Sequence, residues 1–439
     1  MPVRNAVFIT ATELEPRRYG KPVVIGGIID HLCERLGPAQ VHVILIGRPD
    51  LERPPVAYQR HVISKPRWSA QIRAVVEHTL FARGERRLSL QESALHSDVV
   101  AARLRELLDR IDPELEIWDT VRLGQYASAV PRRGPGRPAR RLLYADDLFS
   151  ERYTAMLRDS ATRALAGDPG GAFKKLLPRP VQPLLGNPLV YRPLLQLERR
   201  LVAVSEETQP KRFDGTYLVG PEEAARLRER CPGPIIAPLP PLLREPRAST
   251  RAAPSAPVFT FVGGFDYAPN RDGITWFLEV CREAVLARLP DVVIQVIGNG
   301  TEVGLPEAAA WGDRVRFLGW VDDLDAVLGG SVALLSSLRT GSGVKIKVLE
   351  ALARGLPVVA TPSGVQGIEA NEGSGCLIAE TPEALAAAMQ RACEPSVNAR
   401  LSEGARRAWN QHYSPAVVRR QYDEIFGLGE AVSRLEAER

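Results

Sequence analysis

A glycine-rich turn between a short apolar run and an amphipathic stretch constrains the fold of this 439-residue chain more than any other feature. Residues 332–336 form a short apolar run, which predicts a buried strand. Residues 347–354 carry apolar side chains at helical spacing, and Gly355 follows where a helix C-cap glycine would stand. The turn Gly341-Ser342-Gly343 lies between the two. This order of strand, glycine turn and helix is typical of an α/β protein.

The chemistry of this turn favours an anion. The backbone N–H groups of a glycine turn and the N-terminus of the following helix point at one spot. Lys345 or Lys347 adds a full positive charge, and Glu350 follows Lys347 by three residues on the same helical face. A phosphate needs the N–H groups and a lysine, and a carboxylate suits the vicinal diol of a ribose. Together they fit a nucleotide diphosphate.

The alternative is a glycine turn that serves tight packing alone. The distribution of lysine weakens this alternative, because the basic residues of the chain are mostly arginine. Two of only seven lysines, Lys345 and Lys347, lie next to this turn.

The second half of the chain alternates predicted strands with predicted helices, a pattern that requires a parallel sheet. The strands are predicted at 258–262, 292–297, 315–318, 332–335, 357–361 and 376–378. The helices are predicted at 272–286, 325–328, 344–354, 382–392 and 398–409, with a last helix from 415 to about 426.

The first half gives a similar but looser pattern. Gly26-Gly27 are expected to form a turn before a helix at 28–32. This turn either lets the backbone approach a ligand or is a plain glycine turn. Asp146 and Asp147 follow a predicted strand, where open α/β sheets bind ligands, and the alternative for either is the N-cap of a helix at 148–157. The strands are predicted at 7–9, 41–46, 115–118, 141–145, 200–205, 216–219 and 235–238.

Composition sets the broad class. The 45% apolar and 25% charged content is that of a globular protein. The formal charge of +5 is too diffuse to indicate nucleic-acid binding. Five scattered cysteines without a C-x-x-C pair indicate a reducing cytoplasm, and the apolar run at the start is too short for a signal peptide. We expect a cytoplasmic protein, with the Pro-, Gly- and Leu-rich stretch 165–195 (Lys174-Lys175 inside) as either an acceptor loop, a peripheral membrane contact or a solvated loop.

The pattern G-x-G-x-x-x-K-x-x-E-A, from Gly341 to Ala351, resembles the donor-site signature of the GT-B glycosyltransferases of family 4. Further motifs of that family follow in the expected order: Val262-Gly263-Gly264, Val296-Ile297-Gly298-Asn299-Gly300, Val315-x-Phe317-x-Gly319-x-Val321 and Thr361-x-x-Gly364-x-x-Gly367-Ile368-Glu369. The resemblance implies two Rossmann-like parallel-sheet domains that face each other across a cleft, and a C-terminal helix that crosses back. The implied division is an acceptor-side domain 1–243, a linker 244–257, a donor domain 258–410 and a returning helix 411–439.

The same resemblance implies a hexosyltransferase that takes a nucleotide-sugar donor, most simply a UDP-sugar, and transfers the sugar with retention to an acceptor that the sequence does not identify. No cofactor is implied. Lys347 and Asp146 are the implied catalytic residues. Glu350 would hold the ribose, and the base would lie against Gly319-Trp320-Val321. The implied donor-binding set is Gly26, Gly27, Gly264, Arg271, Asn299, Trp320, Val321, Gly341, Ser342, Gly343, Val344, Lys345 and Glu350.

Three positions depart from the family pattern. Ser342 stands where many members have a glutamate that contacts the sugar. Phe265 and Asn270 stand near the places of an Arg and a Lys, with Arg271 as a substitute. Pro238-Leu239-Pro240-Pro241 replaces the usual turn before the linker. Two other functions therefore stay open: a non-catalytic nucleotide-sugar-binding subunit, and a nucleotide-sugar 2-epimerase on the same fold.

A metal site is not expected. Asp323-Leu324-Asp325 has the D-x-D form of a manganese motif, but it follows a strand and begins a helix, which favours capping. The chain also has no cluster of His and Cys at ligand spacing. We therefore expect a metal-independent reaction.

Overall fold

Two parallel sheets organise the chain in the computed structural model, which describes residues 3–17, 20–84, 87–131, 139–163, 187–246, 256–341 and 343–429. Two compact units result: unit 1 is Met1–Leu242 with Val418–Arg439, and unit 2 is Leu243–Val417. Several predicted features lie outside the described residues, namely Ser342, Lys174-Lys175 with most of 165–195, most of the predicted linker, and the last ten residues of the predicted returning helix segment.

The sheet of unit 1 has seven strands among the described residues, and all of its neighbouring pairs are parallel. Its spatial order is β3-β2-β1-β4-β5-β6-β7. Every residue of β1 and of β4 is buried, as expected of central strands covered on both faces. The strands are β1 Ala6–Thr10, β2 Val41–Gly47, β3 Gln59–Ser64, β4 Leu115–Asp119, β5 Arg140–Asp146, β6 Gly215–Leu218 and β7 Ile236–Pro238.

The sheet of unit 2 is also parallel throughout its described strands, in the order β10-β9-β8-β11-β12-β13. Its core combines Phe259 and Phe261 of the central strand with Phe277 and Trp311 from the covering segments. The strands are β8 Val258–Val262, β9 Val293–Ile297, β10 Val315–Gly319, β11 Ala333–Ser336, β12 Val358–Ala360 and β13 Cys376–Ile378. The predicted fold class, with two Rossmann-like parallel-sheet domains, is confirmed.

Helices connect the strands within each unit. In unit 1 they are Lys21–Leu36, Trp68–Ala74 with its π-helical continuation Val75–Phe81, Leu90–Ser93, Asp98–Ile111, Thr120–Gly124, Phe149–Arg163, Pro188–Thr208 and Pro221–Arg230. In unit 2 they are Ala268–Val280, Arg282–Arg288, Leu324–Gly329, Ile346–Ala353, Pro382–Cys393 and Pro395–Ala408. The helix Pro415–Phe426 begins in unit 2 and ends in unit 1.

The residues of this last helix that belong to unit 1 are held by polar contacts to the rest of that unit. The Tyr422 hydroxyl donates to the carbonyl of Pro240 at 2.8 Å. The Asp423 carboxylate lies 2.9 Å from His31 Nε2 and 2.9 Å from Arg35 Nε. The C-terminal helix therefore completes unit 1 across a large separation in sequence.

Each sheet contains one point where the strand order reverses. In unit 1 the reversal falls between β1 and β4, and in unit 2 between β8 and β11. The loops that leave the carboxyl ends of two such strands diverge to opposite faces of the sheet, which leaves a crevice where open α/β proteins bind ligands. The predicted glycine turn follows β11, so the topology places it at this crevice of unit 2.

One predicted strand, 200–205, is wrong: these residues belong to the helix Pro188–Thr208. A window of six residues around Leu201-Val202-Ala203-Val204 cannot separate a buried strand from a helix. The longer pattern can, because Tyr191, Leu195, Glu198 and Val202 are buried at the spacing of one helical face.

The expected glycine turn at Gly26-Gly27 is also wrong. Both residues lie inside the helix Lys21–Leu36 and are buried there. A Cβ on Gly27 would lie 2.4 Å from the backbone carbonyl of Leu242, whereas a Cβ on Gly26 would meet the side chain of Arg17. The pair thus allows close packing of a helix within unit 1.

We predict that Gly27→Ala lowers the free energy of unfolding by about 1–3 kcal/mol, because the added methyl group meets a fixed backbone oxygen. Gly26→Ala is the matched control. Its methyl group meets the flexible end of Arg17, and alanine favours the helix, so the loss should stay within about 1 kcal/mol. Urea unfolding of both variants measures the difference. Equal losses for the two variants would contradict the packing explanation.

Candidate functional site

The loops that leave β8 and β9 in unit 2 are in direct backbone contact. Gly298 has φ +141°, and a Cβ there would lie 2.6 Å from the carbonyl carbon of Gly263. The N–H of Phe265 donates to the carbonyl of Asn299 at 2.9 Å, and the N–H of Gly263 donates to Ile297. Only glycine at 298 permits this approach. The two loops therefore form one wall beside the crevice between β8 and β11.

The described glycines of the turn after β11 have positive φ angles, a backbone conformation that favours glycine. Gly341 has φ +125° and Gly343 has φ +72°. The buried Lys345 precedes the helix Ile346–Ala353 and donates from Nζ to the carbonyl of Gly343 at 2.9 Å. A Cβ on Gly341 would lie 3.6 Å from both Lys345 Nζ and the Tyr267 hydroxyl. The turn thus brings a lysine against its own backbone at the N-terminus of a helix.

Lys347 connects this helix to the first turn of the helix Ala268–Val280, which follows the loop after β8. Its Nζ donates to Asn270 Oδ1 at 2.9 Å and lies 4.6 Å from the centre of the Phe261 ring. Asn270 in turn donates from Nδ2 to the carbonyl of Gly264 at 3.1 Å. A Cβ on Gly263 would lie 2.5 Å from the Asn270 side chain, so this glycine makes room for the asparagine.

The environment of Lys347 makes its charged form energetically unfavourable. Burial, together with the positive charge of Lys345, lowers the pKa of its ammonium group to about 7. An amide oxygen and an aromatic face stabilise the ammonium group, but neither carries the full negative charge that would balance it. An anionic ligand would therefore stabilise the charged form of Lys347.

Glu350 lies one helical turn beyond Lys347, as the spacing predicts. Burial raises the pKa of its carboxyl group, the charge of Arg354 opposes this rise and that of Asp325 adds to it. Arg354 itself pairs with Asp325 at 2.7 Å and donates to the backbone carbonyl of Glu350 at 2.8 Å. Among the described residues, the Glu350 carboxylate accepts no hydrogen bond, which leaves both oxygens for a ligand hydroxyl.

The other predicted donor residues of unit 2 are placed as follows. Arg271 is exposed on the helix Ala268–Val280. Asn299 is exposed, and Trp320 is 45% exposed, with its indole N–H donating to Asp322 at 3.1 Å. Val321 is half-buried after β10. Val344 packs against the loop after β12, since a Cβ on Gly367 would lie 2.9 Å from its Cγ2.

The structure therefore brings Gly341, Gly343, Lys345, Lys347 and Glu350 together by local chain geometry, and Gly264 joins them through Asn270. It shows no hydrogen bond or ion pair of the Arg271 side chain within the described ranges. Ser342 lies outside those ranges.

The D-x-D segment caps a helix, as expected from its position. The Asp323 side chain accepts from the N–H of Ala326 at 2.9 Å, and Asp325 pairs with Arg354. In the part of the chain that the structure describes, no group of three or more His, Cys, Asp or Glu side chains is arranged to hold a metal ion.

A second polar cluster lies at the reversal point of unit 1, where β1, β4 and β5 end. Lys21 Nζ lies 2.6 Å from Asp119 Oδ1 and 3.5 Å from Asp146 Oδ2. The Thr10 hydroxyl donates to Asp119 at 2.7 Å, and the Tyr144 hydroxyl donates to Asp146 at 3.0 Å. This cluster gives Asp146 a defined place beside a lysine.

Asp146 itself is held in an unusual backbone conformation, with φ +67°. Burial raises the pKa of its carboxyl group; Lys21 and Arg152 lower it, while Asp147 and Asp119 raise it. Asp147 is buried and pairs with Arg152, whose Nε lies 3.0 Å from Oδ2. The two adjacent aspartates thus have different partners.

Sequence reasoning missed Lys21 and Asp119 in unit 1 and Asn270 in unit 2 as site residues. Lys21 is one of seven lysines, and Asp119 ends an apolar strand, so both carried a weak signal. In the sequence, Asn270 stands out only as a departure from the family pattern. Its bond to Lys347 joins the first turns of two helices that are far apart in sequence, which no local pattern reports.

We predict that Lys21→Met lowers the free energy of unfolding by about 3–5 kcal/mol at neutral pH, because it leaves the buried Asp119 carboxylate without its ion partner. Removing Lys21 should raise the already raised pKa of Asp146 further. A carboxyl group whose pKa is higher in the folded state favours folding when it is protonated, so the loss of stability in the variant should shrink as the pH falls. Urea midpoints at acidic and slightly alkaline pH measure this. Lys21→Arg should recover most of the loss, and a pH-independent loss in Lys21→Met would contradict the pairing.

Part of the chain matches a family of known proteins. Residues 256–394 match the family model described as glycosyl transferases group 1. An uncharacterised 44.6 kDa protein of the cps region of Klebsiella pneumoniae is 29% identical over 126 residues, which are 27% of this chain and 32% of that protein. The match with this curated relative thus spans about a third of its length.

Solved structures of glycosyltransferases resemble the whole chain. Sucrose-phosphate synthase of Thermosynechococcus elongatus has a TM-score of 0.65 at 16% identity, covering 99% of this chain and 100% of that one. HepE of Anabaena in complex with UDP has a TM-score of 0.62 at 11% identity, covering 96% and 99%. WaaG, a glycosyltransferase involved in lipopolysaccharide biosynthesis, has a TM-score of 0.57 at 15% identity, covering 96% and 100%. The chain therefore has the GT-B fold, and its residues 256–394 match the glycosyl transferases group 1.

Proposed function

We propose that this protein is a glycosyltransferase of the hexosyltransferase type that takes a UDP-sugar and transfers its sugar to an acceptor. The observation that carries the proposal is the lysine pair at the glycine turn after β11, within the segment that matches glycosyl transferases group 1. The complexes of HepE with UDP and with UDP-glucose support uridine as the nucleoside of the donor.

The diphosphate is proposed to bind to the N–H groups of the glycine turn and to Lys345 and Lys347. When the bond from the sugar to the diphosphate breaks, negative charge grows on the leaving phosphate. Groups already fixed at that position lower the barrier most, because they need not reorganise. Lys347 is such a group, since Asn270 and Phe261 hold its ammonium in place.

The nucleoside is proposed to lie beyond the diphosphate. Glu350 would accept hydrogen bonds from the two ribose hydroxyls, and the base would lie along Gly319-Trp320-Val321 and contact backbone groups there. Trp320 is partly exposed, whereas Gly319 at the end of β10 is buried and its carbonyl accepts from the N–H of Gly298 at 2.9 Å, so the base would contact the backbone at 320–321. Gly264, Arg271, Asn299 and Val344 complete the proposed donor set.

In unit 1, Asp146 is proposed to contact the transferred sugar or the acceptor hydroxyl, positioned by Lys21 and Tyr144. The reaction is proposed to retain the anomeric configuration and to need no metal ion, because Lys345 and Lys347 take the place of a divalent cation at the diphosphate.

A nucleotide-sugar 2-epimerase would need acid and base groups such as histidines near the sugar. Of the six histidines in the sequence, only His412 falls in unit 2. It lies in the π-helix Trp409–Tyr413 and is not among the residues assigned to the candidate site. This placement favours transfer over epimerisation.

The proposal is tested by measuring UDP release from a panel of UDP-hexoses, with and without glycan and lipid-linked acceptor extracts and in the presence of EDTA. We expect UDP to raise the melting temperature and one UDP-hexose to be consumed faster with an acceptor. Binding of UDP without any turnover would support the non-catalytic subunit instead. The absence of any effect of nucleoside diphosphates would contradict the donor site.

We predict that UDP binding takes up a proton. The free Lys347 has a pKa of about 7, and a bound diphosphate raises it, so affinity should fall as pH rises above about 7. Calorimetry in buffers of different ionisation enthalpy measures the uptake at pH 8. Lys347→Met should abolish it and reduce transition-state stabilisation by about 2–4 kcal/mol. Arg316→Met, at an exposed position on β10, is the control and should bind as wild type does.

We further predict that Glu350→Gln weakens UDP binding about tenfold, since a charged acceptor for two hydroxyls becomes a neutral one. Deoxygenated UDP tests the cause: removing the ribose hydroxyls should cost wild type affinity and cost the variant little. The exposed Glu383→Gln serves as control. If Glu350→Gln binds UDP as tightly as wild type, Glu350 does not hold the ribose.

A further inference from the structure

The helical segment 68–81 of unit 1 exposes large apolar side chains that a protein surface normally hides. Trp68 is 61% exposed, Leu80 is 54% exposed and Phe81 is 77% exposed, with Val76 also exposed. Trp68, Val76 and Leu80, with the half-buried Ile72 between them, recur at intervals of four residues. They therefore follow one side of the helix.

The opposite side of this segment is anchored in unit 1. Ala74 and Thr79 are buried, and the Thr79 hydroxyl pairs with Ser93 Oγ at 2.8 Å. Val75 packs against the apolar cluster that contains Tyr153 and Tyr191. The exposed side is thus held outward by the fold and is not the result of a loose segment.

The sequence that carries the exposed apolar side is rich in basic residues. Between residues 65 and 87 the sequence has six basic side chains, Lys65, Arg67, Arg73, Arg83, Arg86 and Arg87, against the two acidic Glu77 and Glu85. Arg67, Arg73, Arg83 and Arg87 are exposed. The ion pair of Arg73 with Glu77 is long, at 3.9 Å, so it neutralises little.

We propose that this face binds the surface of an anionic phospholipid bilayer. Trp68, Leu80 and Phe81 enter the headgroup region, and the arginines contact lipid phosphates. Exposed aromatic and aliphatic side chains framed by arginine are the composition that such an interface selects. An apolar protein partner would explain the tryptophan and phenylalanine but not the surplus of positive charge.

The attachment is peripheral. In the part of the chain that the structure describes, no helix is long and apolar enough to cross a membrane. The membrane contact considered from the sequence lies at 165–195, and the exposed face at 68–81 is a different segment. The proposal concerns binding alone and does not depend on the proposed transfer reaction.

Sedimentation with vesicles tests this face. The full chain should bind vesicles of phosphatidylcholine with about a third phosphatidylglycerol at least about tenfold more tightly than pure phosphatidylcholine. About 0.5 M salt should weaken the binding, since it screens the arginines. The triple variant Trp68→Gln, Leu80→Gln, Phe81→Gln should lose binding about tenfold or more while keeping its melting temperature, because these side chains are exposed.

The double variant Val99→Gln, Val303→Gln is the matched control, since it removes two other apolar side chains that are 71% and 78% exposed. It should bind anionic vesicles as wild type does. No binding of wild type to the anionic vesicles would overturn the proposal, and so would equal losses in the triple and control variants. A wild-type dimer that the triple variant converts to a monomer would assign the face to a second copy of the chain instead.

Discussion

The proposed donor site of unit 2 is organised by one hydrogen bond, from Lys347 Nζ to Asn270 Oδ1. It joins the first turn of the helix Ile346–Ala353 to the first turn of the helix Ala268–Val280. The bond fixes the Lys347 ammonium group over the Phe261 ring. The same Asn270 side chain donates to the Gly264 carbonyl. Burial moves the pKa of this lysine to about 7. A buried cation with only neutral partners is costly alone and favourable beside an anion, and this difference selects the ligand.

A lysine also lies at the reversal point of unit 1, but there its partners are carboxylates and not neutral groups. There Lys21 is neutralised by the buried Asp119 and lies near Asp146. The lysine of unit 2 therefore favours an anion, whereas that of unit 1 is already paired and serves to position a carboxylate. Each cluster lies where a parallel sheet reverses its strand order, because only there do loops from neighbouring strands diverge and leave polar groups accessible.

The sequence predicted much of this arrangement where the signal was local. The turn at Gly341 and Gly343, the helix after it and the strand Cys376–Ile378 could be read from short patterns, since glycine backbone and apolar runs are properties of a few adjacent residues. It failed at 200–205, where a short apolar run fits strand and helix alike, and at Gly26-Gly27, whose reason is the carbonyl of the distant Leu242. The pairings Lys347–Asn270 and Lys21–Asp119 join residues far apart in sequence, so only the fold reveals them.

The central claim is that unit 2 binds a nucleoside diphosphate at its glycine turn. Hydrogen-exchange mass spectrometry with and without saturating UDP tests it most directly, because it maps the ligand onto the backbone without assuming a reaction. The account predicts slowed exchange in peptides that cover 339–350 and 263–271, where the glycine turn and its wall supply N–H groups. Protection confined to other parts of the chain, or none in 339–350 at saturating UDP, would contradict it.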